Sequence, residues 1–351
     1  MEKLKMKKYI LFMFICIFTL GTTSSATAMK YTYMKSGQLG LINISEGKYI
    51  SFQYDNNGNM ISRKSLTCQE SEYKFINVNS GKALDVYAGD TSNGSKVQIE
   101  TDNGTDAQRW LLCNAPNNTY KLINVNSGKA LDVADGKITD GTRVQLWNDN
   151  GTEAQSWRLV SNGNDIYTFV NINSNKVLDV AGGSVNSGTS VQIWTGNGTT
   201  AQQWKMVKAI SNGAEFKILN AGNGKALDVS GGKTVDGTPV QIWTANNTTA
   251  QRWQIFDTGS NRYKLINVNS GKALEVAGGG VTNGSGVQIW TDNGTSSQQW
   301  TLREVSTGVY TLTNVNSNKM LDIPGGSSID GTQLQIYTAN GTTSQQWKFI
   351  K

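Results

Sequence analysis

Residues 120–133 read YKLINVNSGKALDV, and this stretch returns five more times along the chain with small changes. Two shorter elements follow each copy, first VQIW or a close variant and then a Gln-x-Trp triplet. The tryptophans of these triplets are Trp110, Trp157, Trp204, Trp253, Trp300 and Trp347. Their spacings of 47, 47, 49, 47 and 47 residues indicate a repeat architecture, in which each unit needs its neighbours to bury a core.

The six repeats divide into two groups of three. The spacing of 49 residues separates the third repeat from the fourth and places a linker near residues 208–213. Within each repeat, as at 167–172, 177–180, 191–194 and 203–207, four short runs are separated by Gly, Asn and Ser turns. These runs predict four strands, and no helical periodicity of useful length competes with them. Threefold repetition favours closed all-β architectures, whereas the break after three units disfavours a six-bladed propeller.

The composition of the 351 residues excludes several chemistries. The chain has no histidine, which removes histidine bases, serine–histidine triads and histidine-ligated zinc. Its three cysteines cannot form a disulfide-rich scaffold or a four-cysteine metal site. Only 17% of the residues are charged, and no Lys/Arg cluster beyond the N-terminus indicates nucleic acid. We therefore expect no metal, no cofactor and no nucleic-acid partner.

The first 28 residues have the pattern of a secretory signal peptide. Four lysines among residues 3–8 precede an apolar run at 9–20, and residues 26–28 (Ala-Thr-Ala) form a small-x-small cleavage site. The apolar run is too short to span a bilayer, which disfavours an uncleaved membrane anchor. Removal of this leader lowers the net charge from +6 to +3. The sequence thus predicts a secreted, extracellular protein without a membrane span.

Alternation along the strands separates the residues that build the fold from those that face outward. Leu178 and Val180 point to one side of their strand, and Asp179 points to the other. In the next strand Gln192 and Trp194 point outward, and a short Gly-rich loop joins the two strands into a predicted hairpin. A carboxylate and an aromatic ring on one face suit a pyranose, because the ring stacks on it and the carboxylate accepts its hydroxyl hydrogen bonds. The alternative is that these tryptophans pack against a neighbouring loop or the other domain.

The three repeated elements together resemble the ricin B-type lectins, also called the R-type or Gln-x-Trp family, and among them the bacterial secreted members. The resemblance covers about residues 71–351. It implies an all-β fold of two tandem β-trefoil domains preceded by a small β-hairpin segment. We expect a signal peptide at 1–28, the N-terminal segment at 29–68, and the two trefoils at 69–209 and 210–351.

The resemblance also implies one carbohydrate site per repeat, built from the Asp of Leu-Asp-Val and from the Gln and the aromatic residue of Val-Gln-Ile-Trp. Four repeats keep all three positions: Asp132, Gln145 and Trp147; Asp179, Gln192 and Trp194; Asp228, Gln241 and Trp243; and Asp322, Gln335 and Tyr337. In the first repeat Glu100 replaces the aromatic residue beside Asp85 and Gln98, so that site is expected to be lost. In the fifth, Glu275 replaces Asp, and its extra methylene displaces the carboxylate.

The Gln-x-Trp triplets have a different predicted role. Their tryptophans precede alternating apolar residues, so they are assigned to the core, with the Gln bonded to a buried loop or backbone. Relatives often place Asn directly before this Gln, whereas this chain has Ala107, Ala154, Ala201, Ala250, Ser297 and Ser344. The nearest amides belong to Asn-Gly turn signals or their equivalents at Asn103, Asn150, Asn197, Asn246 or Asn247, Asn293 and Asn340. This departure weakens the galactose preference that the family implies.

The segment before the repeats has its own internal spacing. Tyr33 and Tyr54 are 21 residues apart, and residues 54–59 resemble the YD element of RHS repeats. One such unit is too small for a shell of its own, so it predicts a hairpin or two packed on the first trefoil. Cys68 and Cys113 are candidates for a disulfide in an oxidising compartment.

Together these features predict a secreted multivalent lectin for galactose-type glycans or plant polysaccharide, without catalysis. A carboxylate repeated on six separate units is a multivalent binding pattern rather than a single hydrolytic pair. The alternative is a non-catalytic toxin-complex or adhesion subunit that recognises protein through degenerate trefoil sites. The expected partners are glycans on cells or polysaccharide, with a separate enzyme or toxin chain as a further candidate.

Overall fold

The computed structural model describes residues 29–351 other than residues 35, 46 and 56, so the predicted signal peptide lies outside the described residues. The described chain forms 27 short strands joined by turns. The first four strands are β1 (Lys30–Tyr33), β2 (Leu39–Ser45), β3 (Lys48–Tyr54) and β4 (Met60–Asn77). Together they form an antiparallel meander in sequence order, which we call the N-terminal meander.

The first three repeats form a closed barrel capped by hairpins. Their strands are β5 (Ala83–Val86), β6 (Val97–Glu100), β7 (Trp110–Ala115), β8 (Thr119–Asn124), β9 (Ala130–Val133), β10 (Thr142–Trp147), β11 (Trp157–Ser161), β12 (Ile166–Asn171), β13 (Val177–Val180), β14 (Val191–Trp194) and β15 (Trp204–Ala209). Strands β4, β7, β8, β11, β12 and β15 pair in a ring, and β15 closes it on β4. The hairpins β5–β6, β9–β10 and β13–β14 cover one end of the ring.

The last three repeats form the same arrangement. Their strands are β16 (Ala214–Asn220), β17 (Ala226–Val229), β18 (Thr238–Trp243), β19 (Arg252–Gly259), β20 (Arg262–Asn267), β21 (Ala273–Val276), β22 (Val287–Trp290), β23 (Trp300–Ser306), β24 (Val309–Asn314), β25 (Met320–Asp322), β26 (Gln335–Tyr337) and β27 (Trp347–Ile350). The ring runs through β16, β19, β20, β23, β24 and β27, and β27 returns to β16. A ring of six strands with three capping hairpins is a β-trefoil, so the prediction of two tandem β-trefoils is confirmed.

Each repeat also contains two single-turn 3₁₀ segments. One follows the Leu-Asp-Val strand, at Tyr87–Gly89, Ala134–Gly136, Ala181–Gly183, Ser230–Gly232, Ala277–Gly279 and Pro324–Gly326. The other precedes the Gln-x-Trp tryptophan, at Asp106–Gln108, Glu153–Gln155, Thr200–Gln202, Thr249–Gln251, Ser296–Gln298 and Thr343–Gln345. The second residue of the first turn has a positive φ, for example 63° at Gly182, a conformation that glycine adopts without strain.

The six Gln-x-Trp tryptophans occupy the centres of the two trefoil cores. All six are fully buried, as predicted. Each indole donates to the backbone carbonyl of the leucine in its own Leu-Asp-Val strand, as Trp204 Nε1 does to Leu178 O at 3.1 Å. The buried apolar residues of the hairpins surround these rings in each trefoil. These hydrogen bonds therefore connect every capping hairpin to its barrel.

The N-terminal meander and the first trefoil share a strand. β4 is 18 residues long, and its first half pairs with β3 while its second half pairs with β7 and β15. The boundary predicted between residues 68 and 69 falls inside this strand. Cys68 forms a disulfide with Cys113 on β7, directly across the ladder. Leu41 and Tyr49 of the meander join a small core with the disulfide, so the meander is packed on the trefoil.

The two trefoils meet around buried charges, which we call the interdomain charge cluster: Glu72, Lys74, Arg109 and Asp257. Asp257 accepts hydrogen bonds from Lys74 Nζ and from Arg109 Nη2, both at 3.0 Å, and its side chain is fully buried. Arg109 also lies 3.3 Å from Glu72. Lys74 and Arg109 belong to the first trefoil and Asp257 to the second, so the cluster joins the two domains across their boundary.

Candidate functional site

The hairpin of the third repeat brings three predicted residues together. Asp179 on β13 is paired directly with Gln192 on β14, and Gln192 Nε2 donates to Asp179 Oδ1 at 2.8 Å. Gln202 of the Gln-x-Trp triplet donates to Asp179 Oδ2 at 3.1 Å. Both carboxylate oxygens are therefore held by glutamine amides, an arrangement that we call the glutamine clamp. Its second arm, Gln202, was expected from the sequence to bond a buried loop or backbone, and it also bonds Thr195 O.

The clamped carboxylate lies deeper than alternation along the strand suggests. Asp179 is only 6% exposed and lies at the base of a cleft rather than on an open face. Burial raises the pKa of its carboxyl above the ordinary value, and the hydrogen bonds from Gln192 and Gln202 oppose this shift in part. The carboxyls of Asp132, Asp228 and Asp322 have raised pKa values for the same reason. The clamp thus holds a negatively charged acceptor at a buried position, where little water competes for its hydrogen bonds.

Trp194 forms the side wall of the cleft. It is 40% exposed, and Trp147, Trp243 and Tyr337 have nearly the same exposure. The edge of the indole lies near Gly141 in the loop of the preceding repeat, since a Cβ built on that glycine would be 3.8 Å from Trp194 Cζ3. The ring is thus partly exposed and bordered by a neighbouring loop, and both interpretations of these tryptophans stay predictions.

An asparagine from the next repeat closes the cleft, and sequence reasoning did not identify it. Asn79 of the first repeat reaches the third-repeat cleft, where its Nδ2 donates to Gly183 O at 2.8 Å and its Oδ1 accepts from Thr200. Asn126, Asn173, Asn269 and Asn316 make the corresponding bond to the Gly of the preceding repeat. The second Asn of the recurring Asn-Val-Asn-Ser-Gly stretch was the available signal. Each complete cleft therefore lies between two repeats.

The asparagine of the Asn-Gly turn has mainly a structural role. Asn197 Oδ1 accepts from the backbone N and the hydroxyl of Thr199, and its own backbone N donates to Gln202 Oε1 at 2.8 Å. Asn246, rather than Asn247, occupies this position in the fourth repeat. Ala201, where relatives often have Asn, packs near Gly183 on the cleft floor. Asn197 is one of the residues that line this cleft.

Three of the four predicted triads each line one cleft. The clefts at Asp132, Asp179 and Asp228 have volumes of about 380, 530 and 400 Å³ and contain the predicted Gln and Trp of the same repeat. These volumes are in the range of small-molecule sites. The structure therefore brings together Asp132, Gln145 and Trp147; Asp179, Gln192 and Trp194; and Asp228, Gln241 and Trp243.

The sixth repeat keeps its triad but has a different closing residue. Gln335 Nε2 donates to Asp322 at 2.7 Å, and Tyr337 is exposed beside them. The position of the closing asparagine is taken by Gly222, where a side chain would collide with Thr343. The neighbouring Asn223 donates to Ser327 O instead. The amide on this side of the sixth repeat therefore comes from the next residue along the chain.

The two repeats that depart from the pattern differ from each other. In the fifth, Gln298 Nε2 lies 3.3 Å from Glu275, while Gln288 makes no bond to Glu275 within the described part of the chain. The longer side chain thus breaks one arm of the clamp. In the first repeat, Gln98 Nε2 donates to Asp85 at 3.0 Å, and a cleft of about 540 Å³ is present despite Glu100.

Residues 29–351, with the three gaps given above, contain no group of three or more acidic or cysteine side chains placed to hold a metal ion. Within the same residues, no helix is long and apolar enough to cross a membrane.

Comparison with protein families gives one matching model. It is described as a ricin-type β-trefoil lectin domain-like family, and it matches residues 59–147, 114–194, 153–214, 200–290 and 296–351. A comparison with curated proteins found no significant match.

Solved structures with similar folds include the following three, which differ in sequence identity and in the share of each chain that is matched. The designed threefold-symmetric protein ThreeFoil is 38% identical, with a TM-score of 0.39, over 39% of this chain and 99% of that one. The hemolytic lectin CEL-III is 18% identical, with a TM-score of 0.43, over 80% of this chain and 64% of that one. The Macrolepiota procera ricin B-like lectin, solved with lactose, is 21% identical, with a TM-score of 0.36, over 41% of this chain and 99% of that one.

Proposed function

The chain belongs to the ricin-type β-trefoil lectin domain-like family, and from this premise we propose that it is a multivalent carbohydrate-binding protein without catalysis. The observation that supports this function best is the recurrence of one arrangement in four repeats. Asp132, Asp179, Asp228 and Asp322 are each bonded to the Gln of the facing strand, with an exposed aromatic ring beside them. A single active site would not need four copies.

The chemistry of the third-repeat cleft fits a pyranose. The open face of Trp194 offers a stacking surface for the apolar face of a sugar ring. Asp179, held by its clamp, accepts hydrogen bonds from two neighbouring hydroxyls, and the Asn197 amide is available as a donor. The ligands that we propose are galactose-type glycans or a plant polysaccharide.

Multivalency accounts for the number of sites. A shallow cleft of this kind binds a monosaccharide weakly, with a dissociation constant of about millimolar or a free energy of about −4 kcal/mol. Several clefts on one rigid molecule raise the avidity for densely presented glycans by about 10² to 10⁴. The biological ligand is therefore a surface or polymer that carries many copies of the sugar.

Export from the cell is part of the proposal. The leader pattern at residues 1–28 and the Cys68–Cys113 disulfide both support an oxidising, extracellular location. The bacterial secreted type and the resemblance of residues 54–59 to a YD element belong to the same proposal and rest on sequence alone.

A glycan array tests the function directly. Residues 29–351 are applied to the array with and without free galactose, and binding to galactose-terminated glycans that galactose displaces is the expected result. Binding to plant polysaccharide instead would redirect the specificity but keep the function. A folded protein that binds no glycan would overturn the proposal and favour recognition of protein, as in a toxin-complex or adhesion subunit.

Replacement of one aromatic wall tests the site assignment. We expect Trp194→Ala to leave the fold intact and to lower binding to a sugar-coated surface several-fold, because the stacking face is lost while the core is untouched. Trp290→Ala is the matched control, since Trp290 is equally exposed but lies beside the broken clamp of Glu275. Surface plasmon resonance on immobilised glycan measures both. Equal losses in the two variants would contradict the assignment.

A further inference from the structure

The first repeat retains most of a binding cleft although its stacking tryptophan is absent. Asp85 and Gln98 are paired across the hairpin as in the other repeats, and Gln98 Nε2 donates to Asp85 Oδ2 at 3.0 Å. Asn126 of the second repeat closes the cleft through a 3.0 Å bond to Gly89 O. The cleft has a volume of about 540 Å³, slightly larger than that at Asp179. The expectation that this site is lost rested only on Glu100.

Two tyrosines line this cleft and have no counterpart in the other repeats. Tyr87 follows Asp85-Val86, and it is 58% exposed. The corresponding residues of the other repeats are small or have no ring face to offer: Ala134, Ala181, Ser230, Ala277 and Pro324. Tyr33, at the end of β1, is 59% exposed and comes from the N-terminal meander. The meander thus contributes an aromatic side chain to one repeat only.

The cleft also carries a second carboxylate. Glu100 occupies the position of the stacking tryptophan, and hydrogen bonds from Ser187 and Thr101 hold the pKa of its carboxyl below the ordinary value. Burial, together with the charge of Glu100, raises the pKa of Asp85 to about 6. At neutral pH both groups are therefore ionised.

The charged groups around the cleft are already engaged with protein partners. Lys96 Nζ donates to Gly188 O at 2.6 Å and lies 5.8 Å from the centre of the Tyr87 ring. Lys82 donates to Thr101 at the rim. Asp106 lies 3.6 Å from Arg109 Nε of the interdomain charge cluster. None of these contacts joins a cation directly to the carboxylate of Asp85 among the described residues.

From this geometry we propose that the first repeat is a saccharide subsite of a different kind, in which Tyr87 and Tyr33 replace the missing tryptophan and Glu100 selects a pyranose with a protonated amino group. An ammonium donates charge-assisted hydrogen bonds to both carboxylates and is favoured over tyrosine faces. Gln98 Oε1 is buried at the cleft and has no hydrogen-bond partner among the described residues, so it offers a further acceptor. The inference rests on the proposed carbohydrate-binding function.

The test uses residues 29–351 with the other aromatic walls removed, namely Trp147→Ala, Trp194→Ala, Trp243→Ala, Trp290→Ala and Tyr337→Ala together. Isothermal titration calorimetry at pH 7.5 compares glucosamine and galactosamine with their N-acetylated forms and with glucose and galactose. We expect the free amines to bind at least tenfold more tightly than the neutral sugars. The relative affinities of the two amines then show whether the subsite prefers glucosamine or galactosamine.

Three further substitutions in this background assign the residues. Glu100→Gln is expected to remove the preference for the amine, because the carboxamide cannot form a charged pair. Tyr87→Ala and Tyr33→Ala are each expected to lower affinity about three- to tenfold. Tyr31→Ala is the matched control for Tyr33, since it is an exposed tyrosine on the same strand that does not line the cleft. Unchanged affinity in both tyrosine variants, or equal binding of amines and neutral sugars, would overturn the inference.

A gain-of-binding variant keeps the test independent of folding losses. Glu100→Trp restores the aromatic residue of the other repeats, and it is expected to raise affinity for neutral sugars and to lower it for amines. If the parent protein binds no neutral glycan while the multiple variant still binds glucosamine, the proposed function of the four triads fails and this inference stands. If the parent protein binds neutral glycans but the multiple variant binds no amine, this inference fails and the proposed function stands.

Discussion

At the scale of single residues, the buried carboxylates make binding sensitive to acid. Burial raises the pKa of Asp179 above the ordinary value of 3.8 and that of Asp85 to about 6. Under the proposed function the ionised form accepts the sugar hydroxyls, and protonation as the pH falls through each raised pKa converts this acceptor into a carboxylic acid. Binding is therefore present above the raised pKa and lost below it.

We expect neutral-sugar binding to weaken as the pH falls, starting above the ordinary pKa of an aspartate. Binding at the first-repeat cleft is expected to fall already near pH 6, since Asp85 has the larger shift. Calorimetric titrations at half-unit steps from pH 7.5 to 4.0 measure both, and circular dichroism at each pH shows that the fold persists. Affinity that stays constant to pH 4 would contradict the role of these carboxylates.

The core and wall tryptophans are chemically identical but contribute differently. Trp204→Ala removes a fully buried ring and leaves Leu178 O without its donor, so it is expected to lower the free energy of unfolding by about 3–5 kcal/mol. Trp194→Ala is the control and is expected to change it by less than about 1 kcal/mol. Urea denaturation followed by circular dichroism gives both values. Similar losses in the two variants would show that the wall tryptophan is also structural.

The sequence predicted this division of roles because strand alternation and the repeat period act locally. The aspartate, the glutamine of the facing strand and the wall aromatic follow from a hairpin register that six copies make unambiguous. Asn79 could not be placed in the same way, because it is 104 residues away along the chain from Gly183, to which it bonds. The depth of Asp179 also depends on residues of several elements rather than on its own strand.

At the scale of elements, the disulfide links the N-terminal meander and the first barrel at β4 and β7. Replacing both cysteines, Cys68→Ala and Cys113→Ala, removes a cross-link with a sequence separation of 45 residues. For a loop of this length we expect the free energy of unfolding of the first trefoil to fall by about 2–4 kcal/mol. The second trefoil contains no cysteine and serves as an internal control. Thermal unfolding with amide exchange resolves the two domains, and an equal loss in both would contradict a local effect.

β4 was only partly predictable. The spacing of Tyr33 and Tyr54 predicted hairpins packed on the trefoil, and the structure has a meander in that place. The sequence around Cys68 has no Gly or Pro to separate a segment from a domain, so a strand continues through it. A boundary drawn where the repeat begins therefore cuts a continuous strand, because sequence similarity ends at a different residue from the hydrogen-bonded ladder.

At the scale of the whole molecule, the interdomain charge cluster determines how the two trefoils are held together. Asp257→Asn would leave Lys74 and Arg109 buried with less compensating charge. We expect this change to destabilise the domain interface by about 1.5–3 kcal/mol, because it removes charge-assisted hydrogen bonds while Asp102 and Glu72 still pair with Lys74 and Arg109. Asp292→Asn is the control, since Asp292 pairs with Lys264 at the surface, where such pairs contribute at most about 1 kcal/mol.

Small-angle scattering and denaturant unfolding measure the effect on domain coupling. Asp257→Asn is expected to increase the radius of gyration and to separate the unfolding transitions of the two trefoils. A single unchanged transition would show that other contacts hold the domains together. The repeat pattern could not predict this interface, because Asp257 and Arg109 occupy positions that vary among the repeats. The two residues pair across the domain boundary rather than within a repeat.

The shared strand β4 also has a mechanical consequence. Tension applied between the N-terminal meander and the first trefoil is transmitted along β4, the strand that these two units share. Such a load shears the ladders of β4 against β3, β7 and β15, so that many hydrogen bonds resist it at once instead of opening one by one. The disulfide between Cys68 and Cys113 transfers part of the force directly to β7. We therefore expect the junction between the meander and the first trefoil to resist extension.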